Sequence, residues 1–395
     1  MAKIFINALA STAGGGVTYL RNVLPRLSAW SHLHDFFVFL PASFDAAWID
    51  KCRSFLAVMP APSLSGIGAR VWWEQRSLRN LIHQQQGDLL ISLGNFALLK
   101  SPVPQILFCR NELYFSDYFK ADLRKRKAWK MLIDLKVKTW LSNLSLRAST
   151  SYVAPTKAMA AHLLRAGVSS EKVNVLPFGF DSEVFRASQR QPLSLQVGKL
   201  VKSPETQSLL YVSHYNYFRN FETLLAALPL IKESLGESVR LILTTDLKSG
   251  ENYGGYKTDE AAAMIEKLGI KDCLVMLGAV EYDQLASVYQ AADVFVCPSY
   301  AESFGHPMLE AMAHDLPIVA ANLPVHREVC AEAAVYFDVF DERQLADQVI
   351  RVIRERQLRD RLIQAGKARV KEFSWATHVT NLMQLVDKTL AQSGY

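Results

Sequence analysis

Glu302 and Glu310 stand eight residues apart in the run Pro298-Ser299-Tyr300-Ala301-Glu302-Ser303-Phe304-Gly305-His306-Pro307-Met308-Leu309-Glu310-Ala311. The preceding Asp293-Val294-Phe295-Val296-Cys297 is apolar and β-rich, so it reads as a strand ending at Pro298. Pro307 suits the first turn of a helix, where its missing N–H costs nothing, and Leu309, Ala311, Met312 and Ala313 are good helix formers. The order is strand, short glycine-containing loop, helix, with Glu302 in the loop and Glu310 in the first helical turn. A helix N-terminus offers backbone N–H groups and partial positive charge, a seat for a diphosphate. Carboxylates flanking that seat can accept hydrogen bonds from sugar hydroxyls, which outlines a nucleotide-sugar site. The plainer alternative has Glu310 favouring the helix dipole and Glu302 solvated.

Other groups suited to anion chemistry sit at similar junctions. Ser11-Thr12-Ala13-Gly14-Gly15-Gly16 follows a first strand and precedes a helix, so Gly15 and Gly16 can bring backbone N–H groups close to a phosphate, or simply form a tight turn. The spacing is not G-x-G-x-x-G, and no acidic residue lies on a matching second strand, which argues against a dinucleotide oxidoreductase. Arg219, in Tyr211-Val212-Ser213-His214-Tyr215-Asn216-Tyr217-Phe218-Arg219, is a permanent cation whose fork can hold phosphate oxygens in pairs. His214 in the same stretch is only partly charged near neutrality. Cys109-Arg110-Asn111-Glu112 follows another strand; Arg110, Asn111 and Glu112 are donor or acceptor contacts, or ordinary loop residues. No D-x-D cluster lies near these motifs, so no metal and no cofactor is expected.

The elements that must position these groups alternate. Strands are expected at 3–8, 35–40, 88–93, 105–109, 151–154 and 172–176, with helices at 17–28, 70–86, 121–146 and 157–166 between them. After a polar, Pro-containing linker at 187–206, the alternation resumes: strands at 209–213, 240–244, 274–277 and 317–320, helices at 221–235, 259–268 and 282–291, and a helical tail from Glu342. This β-α alternation predicts α/β architecture, parallel sheets with helices on both faces. A chain of 395 residues suits two domains, here 1–186 and 207–370, with 371–395 as a final helix.

Composition narrows the class. No apolar run reaches the roughly 18–20 residues that span a bilayer, and Met1–Leu9 reads as a strand rather than a signal peptide. Five scattered cysteines without a C-x-x-C pair suggest reduced thiols in a cytoplasmic setting. Residues 1–186 carry 23 Lys and Arg against 12 Asp and Glu, a balance of +11, and the remainder is −5. The excess concentrates in Lys120–Arg147, with nine basic residues interleaved with Trp129, Leu132, Ile133, Leu135, Val137, Trp140 and Leu141. Such a helix lies on an anionic bilayer, as a peripheral contact on the inner face of the plasma membrane, or packs one apolar face on a sheet with a solvated basic face. No nucleic-acid motif accompanies the charge, and no nucleic-acid partner is expected.

The glutamate pair, the Ala-Met-Ala that follows it and Pro317-Ile318-Val319-Ala320 resemble the E-x7-E signature of retaining glycosyltransferases of the family 4 type, with the likeness strongest from Leu209 to Phe337. The resemblance implies a GT-B fold, two Rossmann-like doubly wound domains facing an interdomain cleft, the first for acceptor and the second for donor, with the final helix packing back toward the first. It implies a nucleotide diphosphate sugar donor, GDP- or UDP-linked, a saccharide or lipid-linked acceptor, and transfer with retained configuration and without metal, in bacterial surface polysaccharide assembly. Glu310 would take the ribose hydroxyls and Glu302 the donor sugar. Backbone groups of Ser303, Phe304, Gly305 and His306 would hold sugar or phosphate, Gly278 and Val280 would frame the base, and Gly15 and Gly16 would lie over the diphosphate. Arg219 matches a family Lys that neutralises the leaving group. His214 stands where the family has Arg, and no residue near Arg110 matches a histidine that relatives place by the donor sugar. These departures keep a second class open: a glycosyltransferase-like binding subunit without turnover.

Overall fold

Short runs rich in Ile, Leu, Val and Phe, buried on both faces, alternate here with amphipathic segments, and such a pattern buries itself best as parallel sheets between helices. The computed structural model describes residues 1–12, 14–59, 66–187, 194, 197, 200, 205–236 and 238–392. Most of the linker expected at 187–206 lies outside the described residues.

Two compact units form, one from Met1–Phe115, Ile133–Gly179 and Ser374–Tyr395, the other from Ser116–Leu132 and Phe180–Phe373. The first contains strands β1 (Ala2–Asn7), β2 (His34–Phe39), β3 (Leu56–Val58), β4 (Leu89–Ser92), β5 (Gln105–Phe108), β6 (Ser151–Ala154) and β7 (Val173–Val175). They pair in parallel in the order β3-β2-β1-β4-β5-β6-β7. The second contains β8 (Gln207–Tyr211), β9 (Val239–Leu243), a small antiparallel ribbon of β10 (Asn252–Tyr253) and β11 (Tyr256–Lys257), then β12 (Leu274–Met276), β13 (Val294–Cys297), β14 (Ile318–Ala321) and β15 (Ala334–Phe337). Its parallel sheet runs β12-β9-β8-β13-β14-β15. In each sheet the order reverses once, between β1 and β4 and between β8 and β13. Loops leaving the carboxyl ends of strands at such a switch diverge and open a crevice.

Several expected elements divide or are new. The single helix expected at 121–146 is two, Asp117–Lys125 and Trp129–Ala148, because Lys127 turns to φ +53° between them. The helix expected at 70–86 contains a π-helical turn, Glu74–Leu78. The short strands β3, β10 and β11 and the closing strand β15 had too little period-2 signal to be read from sequence. The domain boundaries also differ from those expected: Ser116–Leu132 groups with the second unit through an ion-pair network around Arg126, and the second unit begins at Phe180. In the first unit the Trp375–Gln392 helix docks on the Gly15–Arg26 helix, where Tyr19 Oη and His378 Nε2 lie 3.0 Å apart and Trp375 meets Tyr19 edge-on at 5.8 Å.

Candidate active site

Arg219 and Glu302 are brought together by strand order. β8 and β13 are paired neighbours, Val294 opposite Leu209 and Phe295 opposite Leu210, so the loops after them leave the same edge side by side. Arg219 Nη1 forms an ion pair with Glu302 Oε2 and reaches Ser299 Oγ at 3.5 Å. Beneath them Tyr211 Oη donates to the Arg219 carbonyl at 3.0 Å and lies 2.9 Å from Ser299 Oγ. Desolvation opposes charge on Arg219, but Glu302, Tyr211 and Cys297 together outweigh it, so its pKa is raised and the guanidinium stays charged. Arg219 Nε is buried with no acceptor among the described residues, a donor available to an incoming anion.

Asn220 ties this corner to the signature loop. It takes φ +55°, a left-handed conformation that Asn tolerates, at the start of the Phe221–Leu235 helix. Its Nδ2 donates to the Pro298 carbonyl at 3.0 Å, and its Oδ1 accepts from Thr223 Oγ1 at 2.8 Å. Sequence reasoning missed Asn220, Tyr211 and Ser299; an Asn opening a helix next to a candidate cation was the one available signal.

The signature helix runs from His306 to Ala313. Gly305, at φ +93°, precedes it and supplies no side-chain cap, and a Cβ there would be strained at that φ and would collide with the Met308 methyl. The N-terminus therefore stays open to an anionic group. Glu310 is the fifth residue of this helix, not in its first turn as expected, because the helix begins ahead of Pro307 and its first turn is spent before Glu310. It is 6% exposed and accepts from Tyr289 Oη at 2.7 Å. Burial pushes its pKa up to about 7, partly offset by the Tyr289 hydrogen bond. The Ser303 N–H is engaged by Glu302 Oε1 at 3.3 Å, and the Phe304 ring is buried against His306 and Phe373. His214 is exposed, its carbonyl accepting from Ser213 Oγ at 3.0 Å. Gly278, at φ +69°, and Val280 follow β12, with Asp246 beside Gly278.

In the first unit Gly15 and Gly16 open the Gly15–Arg26 helix after β1, at that sheet's own switch point. A Cβ on Gly16 would sit 3.0 Å from Ser11 Cα, and the buried Ser11 Oγ has no partner among the described residues. Arg110, Asn111 and Glu112 all have partners inside this unit. Arg110 Nη2 donates to the Leu93 carbonyl at 2.6 Å and stacks over Tyr19 at 5.3 Å. Asn111 Oδ1 caps Leu113 N–H at 3.1 Å, and Glu112 faces His162 at 3.6 Å.

The basic stretch is more than a solvated face. Arg126 points inward among Asp122, Glu222 and Glu260. On the Trp129–Ala148 helix, Leu132, Leu135 and Leu146 are buried, while Trp129, Ile133, Val137 and Trp140 are 57, 63, 50 and 60% exposed. Their spacing of four, four and three residues makes an outward apolar stripe, with Lys130, Lys136 and Arg147 exposed beside it. Among the described residues no helix is long and apolar enough to cross a membrane.

The likeness to known proteins extends along both halves. A family profile described as Glycosyltransferase Family 4 matches residues 13–184, and one described as Glycosyl transferases group 1 matches residues 195–369. The chain is 30% identical over 240 residues to a D-inositol 3-phosphate glycosyltransferase of Segniliparus rotundus, covering 60% of this chain and 51% of that one. It is 29% identical over 171 residues to an O-antigen chain mannosyltransferase B of Escherichia coli, 43% of each chain. The matches thus span about half the length of these curated relatives. The fold superposes on Anabaena HepE, solved in complex with UDP-glucose, with a TM-score of 0.71 at 18% identity, over 98% of this chain and all of that one. With two parallel-sheet α/β units, a glutamate pair at the second sheet's switch point and profiles matching both halves, the chain belongs to the group 1 glycosyltransferases with the GT-B fold.

Proposed function

We propose that the protein transfers a hexose from a GDP- or UDP-linked sugar to a saccharide or lipid-linked saccharide, with retention of configuration and without a metal ion, in the assembly of a bacterial surface polysaccharide. The observation that carries this reading is the Arg219–Glu302 pair at the β8/β13 switch, beside an uncapped helix N-terminus that leads to Glu310. When the sugar–phosphate bond breaks, negative charge collects on the departing diphosphate. Arg219 and the start of the His306–Ala313 helix meet that charge with fixed donors, the kind of stabilisation that lowers a barrier most. Glu302, with Arg219 drawn in part toward the phosphate, accepts from the sugar hydroxyls, and Glu310 accepts from the ribose. The O-antigen mannosyltransferase relative and the UDP-glucose held by HepE support the donor class and the surface-polysaccharide setting.

The test is release of nucleoside diphosphate from UDP-glucose and GDP-mannose in the presence of EDTA. Turnover of one donor, undiminished by the chelator, is expected. Rescue only by added magnesium or manganese would end metal independence, and binding without turnover of either donor, with acceptor present, would favour the inactive subunit suggested by His214.

The exposed face of the Trp129–Ala148 helix supports a peripheral location for the acceptor side, on the inner face of the plasma membrane. An apolar stripe with two tryptophans and flanking lysines fits the boundary of an anionic bilayer, where each nearby cation contributes about 1 kcal/mol. Replacing Trp129 and Trp140 with Ser is expected to weaken sedimentation with phosphatidylglycerol vesicles by at least about ten-fold, since each buried indole contributes roughly 2 kcal/mol, while donor binding stays unchanged. Equal sedimentation of variant and parent would return the helix to the solvated-face reading. Lys130 and Lys136 are the charges to neutralise in a companion variant, since removing Arg126 would dismantle an internal network.

A further inference from the structure

The Asp117–Lys125 helix comes from the first half of the sequence but packs inside the second unit, against the two loops that carry Arg219 and Glu302. Phe119 meets Phe218, the residue before Arg219, edge-on at 5.9 Å. Asp122 Oδ2 accepts from Tyr300 Oη at 2.6 Å, two residues before Glu302. The Tyr300 N–H in turn donates to the Phe218 carbonyl at 2.9 Å, so the two loops are joined to each other as well as to the helix.

Asp122 is itself fixed. Arg126 Nε lies 2.9 and 3.0 Å from its two carboxylate oxygens. The same guanidinium reaches Glu222 at 3.2 Å and Glu260 at 2.5 Å and covers the Tyr217 ring at 4.2 Å. Glu222 also accepts from Tyr215 Oη at 2.7 Å. Burying three charges of this kind is a poor way to gain stability, because desolvation offsets most of the attraction. What such a network supplies is fixed geometry where its members are satisfied, as Asp122 is through both oxygens, while Glu222 Oε2 has no hydrogen-bond partner among the described residues.

We propose that Asp122 and Tyr300 are positioning residues for the transfer: their hydrogen bond, with Phe119 on Phe218, holds the Arg219–Glu302 pair in the orientation that meets the donor. This rests on the site reading above and adds to it residues that touch neither donor nor acceptor. A misplacement of about 1 Å at reacting groups is enough to cost a large factor in rate.

Tyr300→Phe tests it by removing one hydroxyl while keeping the ring contacts with Tyr118 and Phe340. Turnover of the accepted donor, UDP-glucose or GDP-mannose, should fall about ten-fold with donor KM within about three-fold. Asp122→Ala should do the same, and the double variant should be no slower than the slower single, the signature of one shared interaction. Asp122→Asn, which keeps an acceptor oxygen, should recover most of the loss. Amide exchange at residues 299–302 should rise about ten-fold in Tyr300→Phe without a matching rise across the rest of the second unit. Wild-type turnover and exchange in Tyr300→Phe, or exchange that rises uniformly across the unit, would overturn the proposal. If the parent protein turns over neither donor, the functional reading fails, and the exchange result still decides whether the hydrogen bond positions the loop.

Discussion

Nucleotide-sugar binding is expected to tighten about ten-fold between pH 6 and pH 8, and Glu310→Gln is expected to flatten that dependence and weaken binding by 10- to 100-fold, the loss of roughly 1.5–3 kcal/mol from a charged hydrogen bond. Glu310 is buried beneath Tyr289, and that burial raises its pKa to about 7, so across this range it passes from mostly neutral to mostly ionised. A ribose hydroxyl donates more strongly to the carboxylate than to the acid, so affinity follows the ionised fraction. Sugar nucleotides are the right probe because their diphosphate is a diester that does not titrate near neutrality, whereas a free nucleoside diphosphate does. The same shift has a consequence for the unliganded fold. A folded pKa raised above the unfolded value means that the native state holds the proton more tightly between those values. The stabilisation is therefore complete below about pH 4.5 and is lost as pH rises through about 7, at most about 3 kcal/mol. Glu310→Gln should remove that slope from a series of urea titrations. Calorimetry giving a flat profile in the parent, or full affinity in Glu310→Gln, would remove Glu310 from the nucleotide site.

The groups assigned to the proposed site could be picked out of the sequence because their chemistry is local to strand ends. Glu302, Glu310 and Arg219 each follow a short apolar run, and a run of that kind in an α/β chain delivers its next residues to the carboxyl edge of a sheet. What could not be read was pairing. Nothing in the sequence says that Arg219 and Glu302 touch, since that depends on β8 lying beside β13 instead of beside β12. The placement of Glu310 was off by one turn for a related reason. Pro307 is compatible with either of the first positions of a helix, and only the left-handed Gly305 settles where the helix starts.

The largest misreading of the fold lay in the basic stretch. Its composition reads as one helix because Lys127 is an ordinary helix former, yet Lys127 takes φ +53° between the two helices. With the break in place, Arg126 turns inward to Asp122, Glu222 and Glu260, and the apolar residues of the following helix divide between core and solvent. A charge tally cannot separate a buried cation from an exposed one, so the two ends of this segment looked alike in sequence although one serves an internal network and the other faces outward.

Arg219→Ala is expected to lower donor turnover by about 100- to 1000-fold while changing donor affinity by less than about ten-fold, the pattern of a group used mainly in the transition state. In the resting structure the Arg219 charge is already matched by Glu302, so part of its attraction for a ground-state diphosphate is spent within the protein. Charge that develops on the leaving oxygen competes with Glu302 for the same guanidinium and can also use the unpartnered Nε–H. Arg219→Lys keeps the charge but loses the fork, so it cannot serve Glu302 and the phosphate together, and it should recover only part of the rate. His214→Ala, on an exposed loop, should cost no more than a few-fold, which places the burden of leaving-group charge on Arg219. Removing Arg219 also takes the Arg219 cation away from Glu302 in a mostly buried position, a change that destabilises by itself. The comparison that isolates chemistry is therefore the double variant, Arg219→Ala with Glu302→Gln, against Glu302→Gln alone, because Glu302 itself meets the donor sugar. If Arg219→Ala slows turnover as much in the Glu302→Gln background as in the parent, the loss belongs to the leaving group; if it costs nothing there, Arg219 acts by neutralising Glu302 and has no part in diphosphate departure.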